Sequence, residues 1–194
     1  MAFLRSVSPI DSGPLIEGRR VVLRVPVNGD FDAWARIRTE SRAFLVPWEP
    51  TWASDELTRG AFRRRIKQYY KDMREETGYA FFLFRRQDEV LLGGLTLSNI
   101  RRGVTQSASL GYWMGVRHAG QGYMTEAVSL LVPFVFRNLW LHRLEAACLP
   151  RNGASIRVLE KTGFTREGLA RRYLKINGQW QDHYLFGTVT EDHP

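Results

Sequence analysis

Apolar positions recur along this chain in two ways, as short β-branched and aromatic runs and at helical spacing. The switching between the two predicts its elements. Residues 1–18, with Pro9, Gly13 and Pro14 and no periodicity, predict a loosely ordered lead-in. Arg20 to Pro26 reads as a strand that ends at proline, and Asn28 or Asp30 can cap a helix carrying Phe31, Trp34, Ala35 and Ile37. The aromatic segment from Phe44 to Trp52 contains Pro47 and Pro50 and predicts irregular backbone. Ser54 is the predicted cap of a basic helix reaching Glu76 and closed by Gly78, with Phe62, Ile66, Tyr69, Tyr70 and Met73 on one face.

Tyr79 to Arg85, Val90 to Ser98 and Gln106 to Met114 predict a meander of three strands joined by short polar turns. A helix from Tyr123 to about Asn138 follows, kinked at Pro133. Arg143 to Leu149 predicts a buried strand, and Asn152 the cap of a short helix ending at Gly163, with Ile156 and Leu159 inward. Phe164 to Ile176 and Trp180 to Val189 predict a closing hairpin turned by Asn177-Gly178. The order is strand, two helices, three strands, helix, strand, helix, two strands. It predicts one α/β (α+β) domain over 19–194, a mixed and mostly antiparallel sheet flanked by helices.

The passage from strand to helix at Met114 to Met124 changes this picture from a fold to a site. It reads Met114, Gly115, Val116, Arg117, His118, Ala119, Gly120, Gln121, Gly122, Tyr123, Met124. A glycine-rich turn into a helix lets backbone N–H groups converge where the helix dipole is positive, which suits a phosphate or pyrophosphate. The glycine spacing matches neither a dinucleotide-binding turn nor a P-loop.

The 194 residues suffice for one core, and a net charge of +8 favours anionic partners without choosing among them. The densest basic group, Arg63, Arg64, Arg65 and Lys67, reads first as a solvated helix face. The single cysteine, Cys148, allows no intrachain disulfide. The apolar run Val128 to Phe136 is too short for a bilayer and no secretory signal is legible, so the expectation is a cytoplasmic protein without a membrane partner.

Arg117, Gly120 and Gly122 match Arg/Gln-x-x-Gly-x-Gly/Ala, which resembles the acetyl-CoA pyrophosphate loop of the GNAT N-acetyltransferase superfamily. Asn152-Gly153-Ala154-Ser155, continuing to Gly163-Phe164, resembles that superfamily's second cofactor-facing segment. The blocks Phe44–Pro50, Leu97–Gly103, Lys161–Phe164 and Ile176–His183 narrow the resemblance to RimJ/RimL-type ribosomal-protein alanine N-acetyltransferases.

The resemblance implies the GNAT fold and acetyl transfer from acetyl-CoA to a primary amine, without a metal. The cofactor is expected on residues 114–124 with Asn152 and Ser155. It implies an oxyanion donor in the strand carrying Met114 to Val116, splayed from its neighbour by a bulge for which Gly115 is suggestive. Ser155 is the expected general acid. The place where some relatives carry a glutamate base reads Arg171-Arg172-Tyr173-Leu174-Lys175, leaving Glu49, Asp182 and, more weakly, Glu126, or water. Cys148 lacks neighbours that would activate a nucleophile. The leading acceptor is the N-terminal amine of a ribosomal or other protein. A small-molecule amine and a non-catalytic acyl-CoA-binding or ribosome-associated role are the alternatives.

Overall fold

The computed structural model describes residues 13–193. Eight strands form one sheet in the order β1-β2-β3-β4-β5-β6-β8-β7. They are β1 (Leu15–Glu17), β2 (Val21–Arg24), β3 (Tyr79–Arg85), β4 (Leu91–Arg101), β5 (Ser107–Met114), β6 (Arg143–Cys148), β7 (Thr165–Ile176) and β8 (Gln179–Val189). Only β5 and β6 run parallel among the described strands, as the crossover between them requires. Helices α1 (Phe31–Glu40), α2 (Arg42–Leu45) and α3 (Arg59–Arg74) precede the meander, α4 (Tyr123–Pro133) makes the crossover, and α5 (Gly153–Lys161) follows β6.

Alternation along the strands divides the core between the two faces. Phe81, Leu83, Leu95 and Leu97 pack with Ala127, Val128 and Leu131 of α4. Phe82, Phe84 and Trp113 pack with Trp34 and Ile37 of α1 and Phe62 and Ile66 of α3. The expected mixed sheet and helix order are present, with five local differences. Residues 15–17 of the expected lead-in pair with β2 as an edge strand, while residues 1–12 lie outside the described chain. Asp30 does not cap α1 with its side chain: its carboxylate turns back to the Val27 N–H (2.8 Å) and to Arg24. Thr58, not Ser54, caps α3, accepting the Ala61 N–H at 3.2 Å, because residues 53–58 are spent on two turns.

The proline-bounded segment is not irregular throughout. It continues α2 into a 3-10 turn, Val46–Trp48, where Pro47 stands in the first turn and no partner is needed for its missing N–H. At the end of α3 the left-handed position falls on Glu76 (φ 54) rather than on Gly78, which is small because a Cβ there would lie 2.9 Å from the Leu97 carbonyl. Pro133 does interrupt its helix, which passes into a π turn over Phe134–Asn138 closed by the Leu139 N–H on the Phe134 carbonyl at 3.1 Å. The closing hairpin turns where expected, with Asn177 and Gly178 both at positive φ.

Candidate active site

A wedge opens in the middle of the sheet. The parallel pairing of β5 with β6 ends at Leu110–Ala146, yet β5 stays paired with β4 to Met114 and β6 with β8 to Cys148. The two halves of the sheet therefore part from Gly111 onward. The bulge expected at Gly115 is absent. Gly115 is extended and its N–H donates to the Leu92 carbonyl at 2.8 Å, continuing the ladder with β4. Glycine is needed there because a Cβ would stand 2.4 Å from Ile37. Backbone groups alternate in direction along a strand, so with Gly115 turned to β4 the N–H and C=O groups of Tyr112 and Met114 face the wedge. Val116 is removed as an oxyanion donor, since its N–H is bound by the buried Ser41 hydroxyl at 2.9 Å. Of the three N–H groups from Met114 to Val116, that leaves the one on Met114 facing the wedge.

The anion cradle follows directly. Val116–His118 make a 3-10 turn, Gly120 and Gly122 take φ +75 and +79, and α4 begins at Tyr123. The first intrahelical bond is Glu126 N–H to the Gly122 carbonyl, so the N–H groups of Tyr123, Met124 and Thr125 precede the ladder and point out of the helix end. A Cβ on Gly120 would meet nothing within 4 Å, and one on Gly122 only Arg20 at 3.4 Å, so the protein leaves this space open. The loop is fixed from behind. Arg20 reaches the Gln121 carbonyl (3.2 Å), Gln121 the Arg117 carbonyl (2.9 Å), and Arg117 the Glu40 carboxylate (3.2 Å). Glu126 also serves Arg20, taking its N–H and guanidinium at 2.7 and 2.8 Å. Burial would raise its pKa, but those bonds hold it below the ordinary value. It is the ion-pair partner of Arg20. Burial, Arg85 and Arg117 lower the pKa of His118, leaving a neutral imidazole at pH 7. These residues fit a pyrophosphate: open space, left-handed glycines and free N–H groups at a helix start.

Asn152 caps α5 as expected, its side-chain oxygen accepting the Ser155 N–H at 3.1 Å. This sets Ser155 at the wedge, where its hydroxyl lies 2.7 Å from the Tyr112 phenol, and near Cys148, the buried thiol that ends β6. Burial pushes that thiol up to about 11, which suits an inert cysteine. Tyr112 was missed in the sequence. The signal was there: period two puts it on the inward face with Leu110 and Ala108, where a buried phenol needs a partner.

Glu49 offers no free carboxylate. Its oxygens each accept from Arg38 at 2.7 Å, and Oε2 also takes the Trp52 indole N–H at 2.7 Å. Arg38 is 6% exposed and stacks between Trp52 (4.3 Å) and Trp113 (5.1 Å), its Nε without a hydrogen-bond partner. A charge at Arg38, inside the helical stripe of Trp34, Ile37 and Ser41, was the sequence sign of that partner. Asp182 is exposed on β8 and accepts the Arg172 N–H at 2.8 Å, holding the irregular stretch of β7 where Arg172 has φ 48. The segment carrying Glu49 and the hairpin carrying Asp182 lie against each other. The Asn177 N–H donates to the Glu49 carbonyl at 2.9 Å, and Arg151 reaches the Pro47 carbonyl (3.3 Å) and stacks on Trp48 (5.5 Å). The result is a bridge from the end of β5 to the end of β6. No group of three or more His, Cys, Asp or Glu among the described residues is placed to hold a metal, and no helix among them is long and apolar enough to cross a membrane.

A split sheet beside an open anion cradle fits an acyl-CoA-dependent acyltransferase. Residues 20–165 match the acetyltransferase (GNAT) domain model, and the chain belongs to that family. It is an N-acetyltransferase whose acetyl donor is acetyl-CoA. It is 38% identical over 178 residues to a probable N-acetyltransferase, YjcK, of Bacillus subtilis, covering 92% of this chain and 98% of that one. It is 33% identical to the [ribosomal protein uS5]-alanine N-acetyltransferase of Escherichia coli, over 84% of this chain and 85% of that protein. Among solved structures, Mycobacterium smegmatis RimJ in complex with CoA-disulfide superposes with a TM-score of 0.89 at 31% identity, covering 95% and 91% of the two chains.

Proposed function

We propose that the acceptor is the α-amine of a protein chain beginning with a small residue such as alanine, with a ribosomal protein as the substrate. The observation that carries this reading is the charge at the bridge. Glu49 is spent on Arg38 and Trp52, and Arg42 and Arg151 stand close by, each stacked on a tryptophan of the segment. A site for a polyamine or other small cationic amine needs several free carboxylates. Here the exposed carboxylate of the bridge, Asp182, is bound to the Arg172 N–H, and the cations Arg42 and Arg151 stand at the bridge. A chain end entering beneath the bridge brings one amine, which reacts when neutral. The likeness to the E. coli uS5-alanine enzyme supports the same choice.

Attack of the neutral amine on the thioester carbonyl forms the new C–N bond and an oxyanion, which the Met114 N–H is turned to hold. Collapse breaks the C–S bond, the sulfur leaves with the electron pair beside Ser155, and the amine's extra proton goes to water. No carboxylate is needed for that last transfer, in keeping with the engagement of Glu49 and the exposure of Asp182. On this reading the protein acts in the cytoplasm, on ribosomal protein free or in the ribosome. The test is turnover against three acceptors: a peptide starting with alanine, the same peptide blocked at its α-amine but carrying lysine, and a polyamine. Mass spectrometry should place the acetyl group on the α-amine of the first. Acetylation confined to lysine side chains or to the polyamine overturns the reading.

A further inference from the structure

The hydroxyls of Tyr112 and Ser155 meet at 2.7 Å across the wedge, one from the unpaired stretch of β5 and one from the first turn of α5. The phenol also approaches the Ser155 carbonyl at 3.3 Å, an atom that can only accept. Every partner that Tyr112 has here therefore leaves it the donor, or leaves Ser155 donating back to it. Burial raises the phenol above its ordinary value, so it stays protonated through the working range. A serine hydroxyl is a weaker acid still, and a thiol is a stronger acid than either. Proton transfer from this pair to a departing thiolate is uphill.

We propose that Tyr112 is a positioning residue whose hydroxyl donates to Ser155 Oγ, turning the serine O–H toward the sulfur so that the pair stabilises a thiolate without protonating it. The chain O–H···O–H···S⁻ keeps both hydroxyl protons, and each bond strengthens the next. This rests on Ser155 facing the sulfur and replaces the general acid expected there with a hydrogen-bond donor. CoA then leaves as thiolate and takes its proton from solvent after release.

The test needs no acceptor, so its outcome is separate from that of the peptide panel. CoA affinity is measured by calorimetry from about pH 7 to about 10, the range of thiol titration, with desulfo-CoA as control. A bound thiol whose pKa is lowered binds more tightly as pH rises through that range. The wild type should tighten roughly tenfold, Tyr112→Phe about threefold and Ser155→Ala not at all, desulfo-CoA staying level. The control cancels titration of the neighbouring groups, namely Cys148 on β6, Tyr184 opposite it on β8 and the exposed Glu160 on α5, whose charge acts on Cys148. In turnover, Tyr112→Phe should lower kcat about tenfold with KM for acetyl-CoA unchanged, and should cost nothing further in a Ser155→Ala background. A wild-type profile as level as desulfo-CoA overturns the proposal. So does a Tyr112→Phe profile equal to wild type, or a Tyr112→Phe loss that adds in full to that of Ser155→Ala.

Discussion

The cradle at Gly120–Tyr123 and the bridge between Val46–Trp52 and the hairpin tip flank the same end of β5, yet they are made of different material. The cradle is backbone. Its shape comes from two left-handed glycines and the start of one helix, within a dozen consecutive residues. Long-range side-chain pairs make the bridge: Arg38 with Glu49, Asn177 with the Glu49 carbonyl, Arg151 with Pro47 and Trp48. A backbone site recognises what every acetyl-CoA has in common. One made of side chains can change with the acceptor while the donor site stays the same.

Breaking the bridge should have the largest effect. Glu49→Gln leaves the Arg38 guanidinium, 7% exposed as a side chain, without its counter-ion. We expect a loss of about 3 kcal/mol, a fall in Tm of roughly 6–12 °C by calorimetry. Glu49→Gln combined with Arg38→Met should recover most of it, because the buried charge goes too. Were Glu49 a base, the same variant would instead keep its Tm and lose the acidic limb of the kcat pH profile.

The same difference in material explains what the sequence disclosed. The strand–loop–helix passage at 107–131, the cap at Asn152 and the turn at Asn177-Gly178 are local, each decided by neighbours within a few residues, and each is where the pattern places it. The engagement of Glu49 was hidden because its partner lies eleven residues away on α1, and a lone carboxylate in an aromatic segment looks free until Arg38 is seen beneath it. Gly115 misled for a related reason. Its smallness answers Ile37 across the core, not a bulge in its own strand. The splay of the sheet came only from the resemblance and was not legible in the residues, since it arises from two strands choosing different partners after Leu110 and Ala146.

The cradle can be tested without disturbing the bridge. At Gly120 a Cβ has no described neighbour within 4 Å, but φ is +75, so two substitutions separate strain from intrusion. Asparagine tolerates the left-handed region and valine does not. Gly120→Asn should leave Tm nearly unchanged yet weaken CoA binding about tenfold, roughly 1.4 kcal/mol, as its side chain enters the pyrophosphate space. Gly120→Val should weaken it about a hundredfold, adding backbone strain. Equal affinity for CoA in wild type and both variants would move the phosphate away from this loop.

The smallest effect is expected at Asp182, on the hairpin that forms one end of the bridge. Its carboxylate is exposed, and its one described bond supports the Arg172 N–H in a stretch of β7 that has left the regular register. The loss of that acceptor in Asp182→Ala costs about 1 kcal/mol, a fall of roughly 2–4 °C in Tm. Asp182→Asn keeps an oxygen at the same place and should lose almost nothing. Neither should change kcat, because the bond serves the hairpin and not the amine. A base behaves otherwise: asparagine cannot take a proton, so both variants would lose roughly 10²-fold or more in kcat, with Tm of the asparagine variant intact. The asparagine variant therefore separates the two roles by itself. A normal kcat there leaves Asp182 as a support for β7, and a collapsed kcat makes the bridge a catalytic element as well as a boundary.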